Sequence, residues 1–181
     1  MKLIPGLAVV RSRGVRWAAA GITVCVLAVD QGTKSLVVAG RVASGPSSGR
    51  VISHVANQGA SGGIASGSPI LVTLAVLAVT ALTVALTVRA TSRAAALCLA
   101  VVLGGALGNL ADRLFRSPAL GRGAVVDWIH LSIAGGIAFD LADLAIVLGV
   151  VGTIAAMLVA GPAPKDARDR RPHPAIGSAT A

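Results

Sequence analysis

Residues 70–88 read ILVTLAVLAVTALTVALTV, nineteen consecutive positions without a charged side chain. A helix needs about twenty mainly apolar residues to cross a hydrocarbon core about 30 Å thick. This stretch therefore predicts a membrane-spanning helix. The remaining segments of the chain can be interpreted relative to it.

The composition agrees with a membrane protein. The chain has 181 residues, of which 55% are hydrophobic and 13% are charged, whereas soluble domains contain about a quarter charged residues. The net charge is +9, but the basic residues form short clusters beside apolar runs instead of one solvated face, which argues against a nucleic-acid partner. Cys25 and Cys98 both lie in apolar runs, so no disulfide framework is expected.

Hydropathy divides the chain into four spans and their connections, and predicts an all-α polytopic membrane protein. The predicted segments are a basic head (1–16), spans at 17–39, 68–88, 94–114 and 137–160, a Gly/Ser-rich segment (40–67), a turn (89–93), a polar loop (115–136) and a tail (161–181). The first span is too long for a cleaved secretory signal, and it is expected to be retained. Residues 51–55, VISHV, predict a strand within a small external β-rich flap.

The distribution of basic residues predicts the orientation. Ten of the sixteen Lys and Arg residues lie in the two termini and the 89–93 turn. Because cytoplasmic loops of membrane proteins carry an excess of Lys and Arg, both termini are expected in the cytoplasm. Segments 40–67 and 115–136 are then expected on the outer side.

Acidic residues are rare and are grouped. The chain has no Glu and seven Asp, and only Asp166 and Asp169 lie in the tail. With the predicted orientation, polar residues of three spans converge at the outer face, namely Asp30, Lys34, Asn109, Asp112, Arg113, Asp140 and Asp143, and Asp127 lies in the outer loop. An ionisable residue within a span costs about 2.5–3.5 kcal/mol on insertion scales, so a functional site is the first hypothesis. Polar contacts that only hold the helices together are the alternative.

The first and third spans carry polar residues at helical spacing. Asp30 and Lys34 stand at i and i+4, which favours a structural ion pair. Asn109 and Arg113 share that spacing and form one polar stripe with Asp112. We expect Arg113 to set the electrostatic field of the site.

The start of the fourth span predicts a capped helix. Asp140 is placed as the N-cap residue and Asp143 as the acid three residues later, where the helix dipole favours an anion. Asp127 follows the β-branched pair Val125-Val126 and is placed to point back at Asp143. Two close carboxylates can share a proton and activate water for attack on a peptide carbonyl, which is the chemistry of aspartic proteases.

Other chemistries have less support. Ser61 with Lys34 as its base is a possible serine nucleophile, although Ser is common in Gly-rich loops. The histidines at 54, 130 and 173 make no metal-ligand spacing, and there is no phosphate-binding or dinucleotide-binding glycine motif. No metal and no cofactor is predicted.

Five sequence blocks resemble, in order, those of the bacterial lipoprotein signal peptidases. They are Asp30-Gln31-Gly32-Thr33-Lys34 (D-Q-x-x-K), Asn57-Gln58-Gly59-Ala60 (N-x-G-A), residues 104–113, GGALGNLADR (G-G-A-x-G-N-x-x-D-R), Val125-Val126-Asp127-Trp128 (V-V-D-[FW]), and Phe139-Asp140-Leu141-Ala142-Asp143 (F-N-x-A-D). The chain departs from the family pattern in two places. Ser61 is followed by Gly62-Gly63 where Phe is usual, and Asp140 replaces the usual Asn.

The resemblance implies four transmembrane helices, an external β-cradle from 40–67, and an enzyme of the bacterial cytoplasmic membrane with its site towards the outer face. The implied substrates are prolipoproteins carrying a diacylglyceryl group on Cys, cut just before that Cys. By this resemblance Asp127 and Asp143 are the catalytic pair. The implied supporting residues are Asp30, Lys34, Asn57, Asn109, Arg113 and Asp140.

Two expectations remain to be compared with the structure. An ion- or proton-coupled transporter and a non-catalytic homologue are the competing functions, although a transporter is expected to carry polar groups near mid-membrane. Asn and Asp cap helices about equally well, so Asp140→Asn is expected to preserve both the start of the fourth span and the aim of Asp143.

Overall fold

A computed structural model of the protein describes residues 12–41, 52–59, 67–90, 92–118, 120–131 and 137–160. Most of the predicted head, much of segment 40–67 and the whole tail lie outside these residues. Ser61, with its proposed role as a nucleophile, and His173 lie outside them as well.

The described residues contain four long helices. They are α1 (Arg13–Val38), α2 (Pro69–Arg89), α3 (Arg93–Phe115) and α4 (Leu141–Ala160). All four are long and apolar enough to cross a membrane. Helix α3 packs against each of the other three helices and has the largest buried share, so the core of the bundle lies along it. The predicted fold class is confirmed.

Local sequence signals account for the helix ends. The side chains of Ser12 and Ser92 accept backbone N–H groups of the first turns of α1 and α3, as N-cap residues do. Helix α1 ends at Val38, and Gly40, two residues later, has a φ of +66°. The N–H groups of Gly40 and Arg41 return to the carbonyl oxygens of Val37 and Leu36, which satisfies two terminal acceptors of the helix.

A three-stranded antiparallel sheet lies at one end of the bundle. Its strands are β1 (Ile52–Asn57), β2 (Val125–Leu131) and β3 (Ile137–Phe139), in the order β1-β2-β3. Asp127 on β2 pairs with Val55 on β1, with a register irregularity between Ile52 and Val55. Ile129 pairs with Phe139 of β3.

The sheet corrects two sequence-based expectations. Among the described residues, segment 40–67 supplies β1 alone, while the other two strands come from residues 125–139. Strand β1 needs partners because a single strand leaves its backbone hydrogen-bonding groups unpaired. The fourth helix begins at Leu141 and not at Ile137, since residues 137–139 pair with β2 and Asp140 separates strand from helix.

Two glycines allow α3 to approach its neighbours closely. A Cβ atom at Gly105 would clash with the backbone carbonyl of Ala142 on α4, and one at Gly108 would clash with the carboxylate of Asp30 on α1. Small residues at such positions let the backbones of membrane helices meet. This packing brings the polar ends of α1, α3 and α4 together beneath the sheet.

Candidate active site

Lys34 lies at the centre of a buried polar cluster. Its ammonium nitrogen is 2.9 Å from Asp30 Oδ2, 2.9 Å from Asp112 Oδ2 and 2.6 Å from Asp140 Oδ2, and it donates to Asn109 Oδ1 at 3.1 Å. The four charged side chains have no exposed surface. The expected ion pair between Asp30 and Lys34 is confirmed, but it is one part of a larger network. Removing one partner from such a network leaves an uncompensated buried charge.

Asp112 and Gln31 belong to this cluster, although Asp112 was predicted at the outer face without a specific role and Gln31 was given no role. Gln31 Nε2 donates to Asp30 Oδ2 at 3.1 Å and to Asp112 Oδ1 at 3.2 Å. Asp112 also accepts from Arg116 Nε, one helical turn further along α3. Both residues lie inside the sequence blocks that carry the family resemblance, and this position was the one sequence feature that could have identified them as site residues.

Two carboxylates cap the start of α4. Asp140 Oδ1 accepts from the N–H of Asp143 at 2.7 Å, and Asp30 Oδ1 accepts from the N–H of Ala142 at 3.1 Å. The first N–H groups of a helix have no partner within the helix, so both bonds satisfy groups that would otherwise be unpaired. The predicted capping role of Asp140 is confirmed. Asp30 supplies a second cap from a different helix.

Asn109 connects the Lys34 cluster with Asp143. Its Oδ1 accepts from Lys34, and its Nδ2 donates to Asp143 Oδ1 at 3.0 Å. Because the ammonium group can only donate, Lys34 determines which way the amide of Asn109 faces. The amide in turn positions the carboxylate of Asp143, which is half-buried.

Asp127 lies on β2 with 2% of its surface exposed. Its Oδ2 accepts from Asn57 Nδ2 at 3.0 Å, while its buried Oδ1 has no hydrogen-bond partner within the described part of the chain. Burial, together with the nearby carboxylates of Asp140 and Asp143, raises the pKa of Asp127 to about 7, against the opposing effect of the Asn57 bond. A carboxyl group with this pKa is partly protonated at neutral pH.

The structure brings the two predicted catalytic carboxylates together. Asp127, Asp140 and Asp143 each offer one oxygen, and these three oxygens lie within 4.8 Å of one another. Three carboxylates at this separation can hold a cation. Here the ammonium of Lys34 already lies 2.6 Å from Asp140. That the site uses no metal stays a prediction.

Arg113 has a local role in addition to the expected electrostatic one. Its guanidinium donates to the backbone carbonyls of Gly59 and, at 3.5 Å, Gln58, immediately after β1. No carboxylate forms an ion pair with it among the residues that the structure describes. Arg113 therefore anchors the segment that follows Asn57, and it acts on the carboxylates only as a nearby charge.

An apolar groove leads to the site from the side of the bundle. It has a volume of about 390 Å³ and lies between α2, α3 and α4. Its lining consists of Leu71, Val72, Ala75, Val76, Val79, Ala106, Asn109 and Ile146. Asn109 is the polar member of this set, and it donates to Asp143. The groove therefore reaches Asp143 through Asn109.

Comparison with known proteins gives the same family as the sequence blocks. Residues 22–159 match the family model of signal peptidase (SPase) II. The chain is 34% identical to the lipoprotein signal peptidase of Leifsonia xyli, over 71% of this chain and 61% of that protein. It is 37% identical to that of Streptomyces coelicolor, over 77% of this chain and 70% of that protein. The chain thus spans about three fifths of the Leifsonia relative.

The fold is similar to that of solved membrane proteins. A bacterial membrane enzyme determined by the in meso method at 2.3 Å resolution superposes with a TM-score of 0.65 and 26% identity, over 82% of this chain and 93% of that one. A second such structure, at 1.9 Å resolution, superposes with a TM-score of 0.61 and 27% identity. Because the family model covers most of the chain, the match is not confined to a single motif. The chain belongs to the signal peptidase II family.

Proposed function

We propose that the protein is an aspartic endopeptidase that removes signal peptides from diacylglyceryl-modified prolipoproteins, cutting just before the lipidated Cys. Asp127 and Asp143 are the catalytic pair. Family membership supports the class of substrate. The mechanism rests on the geometry of the two carboxylates and on how they differ from the other acids of the cluster.

One observation carries the aspartic mechanism. Asp30, Asp112 and Asp140 all contact Lys34, whereas neither Asp127 nor Asp143 has an ion-pair partner within the described residues. Two close carboxylates without a counter-ion cannot both ionise easily, so they share a proton. Asp127 and Asp143 each have an oxygen within 4.8 Å of the other, a separation that one water molecule can bridge.

The reaction divides between an acid and a base. Asp143, as the carboxylate, removes a proton from water while the water oxygen attacks the carbonyl carbon of the scissile bond. Asp127, protonated because its pKa is raised to about 7, donates a proton to the carbonyl oxygen. When the tetrahedral intermediate collapses, the C–N bond breaks and the proton held by Asp143 passes to the leaving amine. Asp127 recovers its proton from the new acid.

The apolar groove supports a lipid-modified substrate. A substrate anchored by acyl chains keeps its scissile bond near the membrane surface, and the carboxylate pair lies where the helix bundle meets the sheet. The groove extends from this level along the apolar faces of three helices. An acyl chain bound there buries apolar surface while the modified Cys stays beside Asn109.

The two ends of the bundle differ in charge, which supports the proposed orientation. Arg16, Arg89 and Arg93 lie at one end, and the carboxylates lie at the other. Asp30 is fourteen positions beyond Arg16 on α1, roughly 21 Å along the helix axis. By the positive-inside rule the basic end faces the cytoplasm. The site is then towards the outer face of the bacterial cytoplasmic membrane, with both termini inside.

The competing functions have less support. A transporter needs polar groups along a path through the membrane, but the charged residues of the four described helices lie near the helix ends. A non-catalytic homologue has no need of a buried carboxyl beside a second, uncompensated one.

Cleavage of a lipidated prolipoprotein by the purified protein tests the proposal. Asp127→Asn and Asp143→Asn should each lower cleavage by at least about a thousandfold, because an amide can neither accept the proton of water nor donate as a carboxylic acid. His130→Gln, a change of a half-buried residue on the same strand as Asp127, is the matched control and should cleave normally. Activity within a few-fold of the parent in both Asn variants would show that the aspartic mechanism is wrong.

A further inference from the structure

Asp140 uses both of its carboxylate oxygens. Oδ1 accepts from the N–H of Asp143 at 2.7 Å, and Oδ2 lies 2.6 Å from Lys34 Nζ. The side chain is fully buried, so neither oxygen can turn to solvent. One residue thus connects the ammonium group on α1 with the backbone of a catalytic residue on α4.

An amide could not make both contacts. Asn has one acceptor oxygen and one NH₂ donor, whereas an ionised carboxylate has two acceptors. If its oxygen capped Asp143, its NH₂ would face the ammonium group of Lys34 at the observed spacing. If its oxygen faced Lys34, its NH₂ would face the N–H of Asp143. The expectation that Asn preserves the aim of Asp143 considered only the cap, and the structure adds the second contact.

Lys34 carries the effect of Asp140 to the catalytic carboxylate. The ammonium also donates to Asn109 Oδ1, and Asn109 Nδ2 donates to Asp143 Oδ1. Asp143 is therefore held at two points, its N–H by Asp140 and its carboxylate by Asn109. Both points depend on the position of the Asp140 carboxylate.

We propose that Asp140 is a positioning residue whose carboxylate caps the first turn of α4 through Oδ1, forms an ion pair with Lys34 through Oδ2, and thereby aims the carboxylate of Asp143. The departure from the Asn of the family pattern then has a function in this chain. This inference rests on the proposed function, because aiming Asp143 matters only if Asp143 reacts. It adds a residue-specific requirement that the carboxylate pair alone does not impose.

The charge of Asp140 also acts on the reacting pair. Asp140 interacts electrostatically with Asp30 and Lys34 of α1, Asp127 of β2 and Asp143 of α4, and the charged residues of α3 in the same cluster are Asp112 and Arg113. Removing one negative charge at up to 4.8 Å makes the carboxyl group of Asp127 on β2 easier to ionise. Even at the dielectric constant of water, removing this charge lowers the pKa by about 0.6 unit.

Two substitutions separate the cap from the Lys34 contact. Asp140→Ser keeps a good N-cap but cannot reach Lys34, and Asp140→Asn keeps one contact at the expense of the other. For both variants we expect kcat to fall about 10- to 100-fold, as for a misplaced catalytic group, with little change in KM. The alkaline limb of the pH profile, which reports the pKa of Asp127, should move to lower pH by at least about 0.6 unit.

Ser92→Ala is the matched control, since it removes the cap of α3, whose first turn lies at the opposite end of that helix from Asn109. It should leave kcat and the pH profile unchanged. If Asp140→Ser keeps the parent kcat, Asp140 is a cap only and the proposal is wrong. Complete loss of activity in Asp140→Asn would make Asp140 an essential catalytic carboxylate, and an unmoved profile would exclude the role of its charge.

A measurement without substrate separates this inference from the proposed function. Asp140→Ser should lower the midpoint of thermal unfolding in detergent more than Ser92→Ala does, because it leaves Lys34 with one partner fewer in a buried cluster. If the parent protein cleaves no lipidated prolipoprotein, the proposed function fails, whatever the order of these midpoints. If both variants lower the unfolding midpoint equally, the contact with Lys34 does not stabilise the protein. This inference is then wrong, while the proposed function is unaffected.

Discussion

Asn57 controls how strongly Asp127 holds its proton, so substitution of Asn57 should move the alkaline limb of cleavage. Asn57 Nδ2 donates to Asp127 Oδ2 at 3.0 Å, a bond that favours the carboxylate and lowers the pKa of Asp127 against the effect of burial. In the proposed mechanism the protonated form of Asp127 is the active one. Activity is therefore lost as the pH rises through a pKa of about 7. Raising this pKa should extend activity to higher pH.

The magnitude follows from the hydrogen bond that is lost. A bond to a charged acceptor contributes about 1.5–3 kcal/mol and one to a neutral acceptor about 0.5–1.5 kcal/mol, so Asn57→Ala removes about 1–1.5 kcal/mol of preference for the carboxylate. At 1.36 kcal/mol per unit this raises the pKa of Asp127 by about 0.7–1.1 units. The alkaline limb should move from near pH 7 to near pH 8. Asn57→Asp, which places a like charge beside Asp127, should move it further.

The assay is initial-rate cleavage of a lipidated prolipoprotein between pH 5 and about pH 9.5, with the midpoint of the alkaline limb as the readout. Gln58→Ala is the matched control, because that exposed side chain is adjacent in sequence and only its backbone carbonyl contacts Arg113. Its profile should match that of the parent. An alkaline limb that stays in place or moves to lower pH in Asn57→Ala would refute the assignment of Asp127 as the general acid.

Three further predictions concern stability, substrate binding and topology. Asp127→Asn should raise the unfolding midpoint at pH 8 more than at pH 5, because ionising the buried carboxyl opposes folding as the pH rises towards 7; an equal change at both would contradict this. Ala75→Phe, which fills the groove, should raise KM about tenfold, while Ala81→Phe, outside its lining, should not; a change in kcat alone would contradict acyl binding there. In a Cys-free background, Cys at Ser132 should react with an impermeant reagent from outside and Cys at Ser178 should not, and the reverse pattern would invert the topology.

The fold could be predicted well from hydropathy, because membrane spans have a strong one-dimensional signal. Residues 137–139 show where that signal fails. Ile137, Ala138 and Phe139 are apolar and continuous with the fourth span in sequence, yet they form β3. These residues pair with β2, and hydropathy alone does not distinguish β2 from a loop. Only a three-dimensional partner distinguishes a short apolar strand from the first turn of a helix.

The candidate site was predictable in outline but not in its connections. Topology alone placed the acids of three spans at one face, and the spacing of Asp140 and Asp143 predicted the cap that the structure contains. The role of Gln31 had no signal in charge or periodicity, since an uncharged amide near a helix end is usually only polar surface. That Lys34 contacts three carboxylates could not be deduced either, because i and i+4 spacing identifies only Asp30 as its partner.

The balance of charges explains how one cluster can be both structural and reactive. Its five acids are Asp30, Asp112, Asp127, Asp140 and Asp143, and its ion-paired cations are Lys34 and Arg116. Within the described residues, these cations form ion pairs only with Asp30, Asp112 and Asp140. Asp127 and Asp143 therefore lie close together without an ion-pair partner. In a buried site the least costly response is to keep a proton on one of them. The ion pairs that hold the helix ends together thus also leave the shared proton on Asp127 and Asp143, where the proposed hydrolysis requires it.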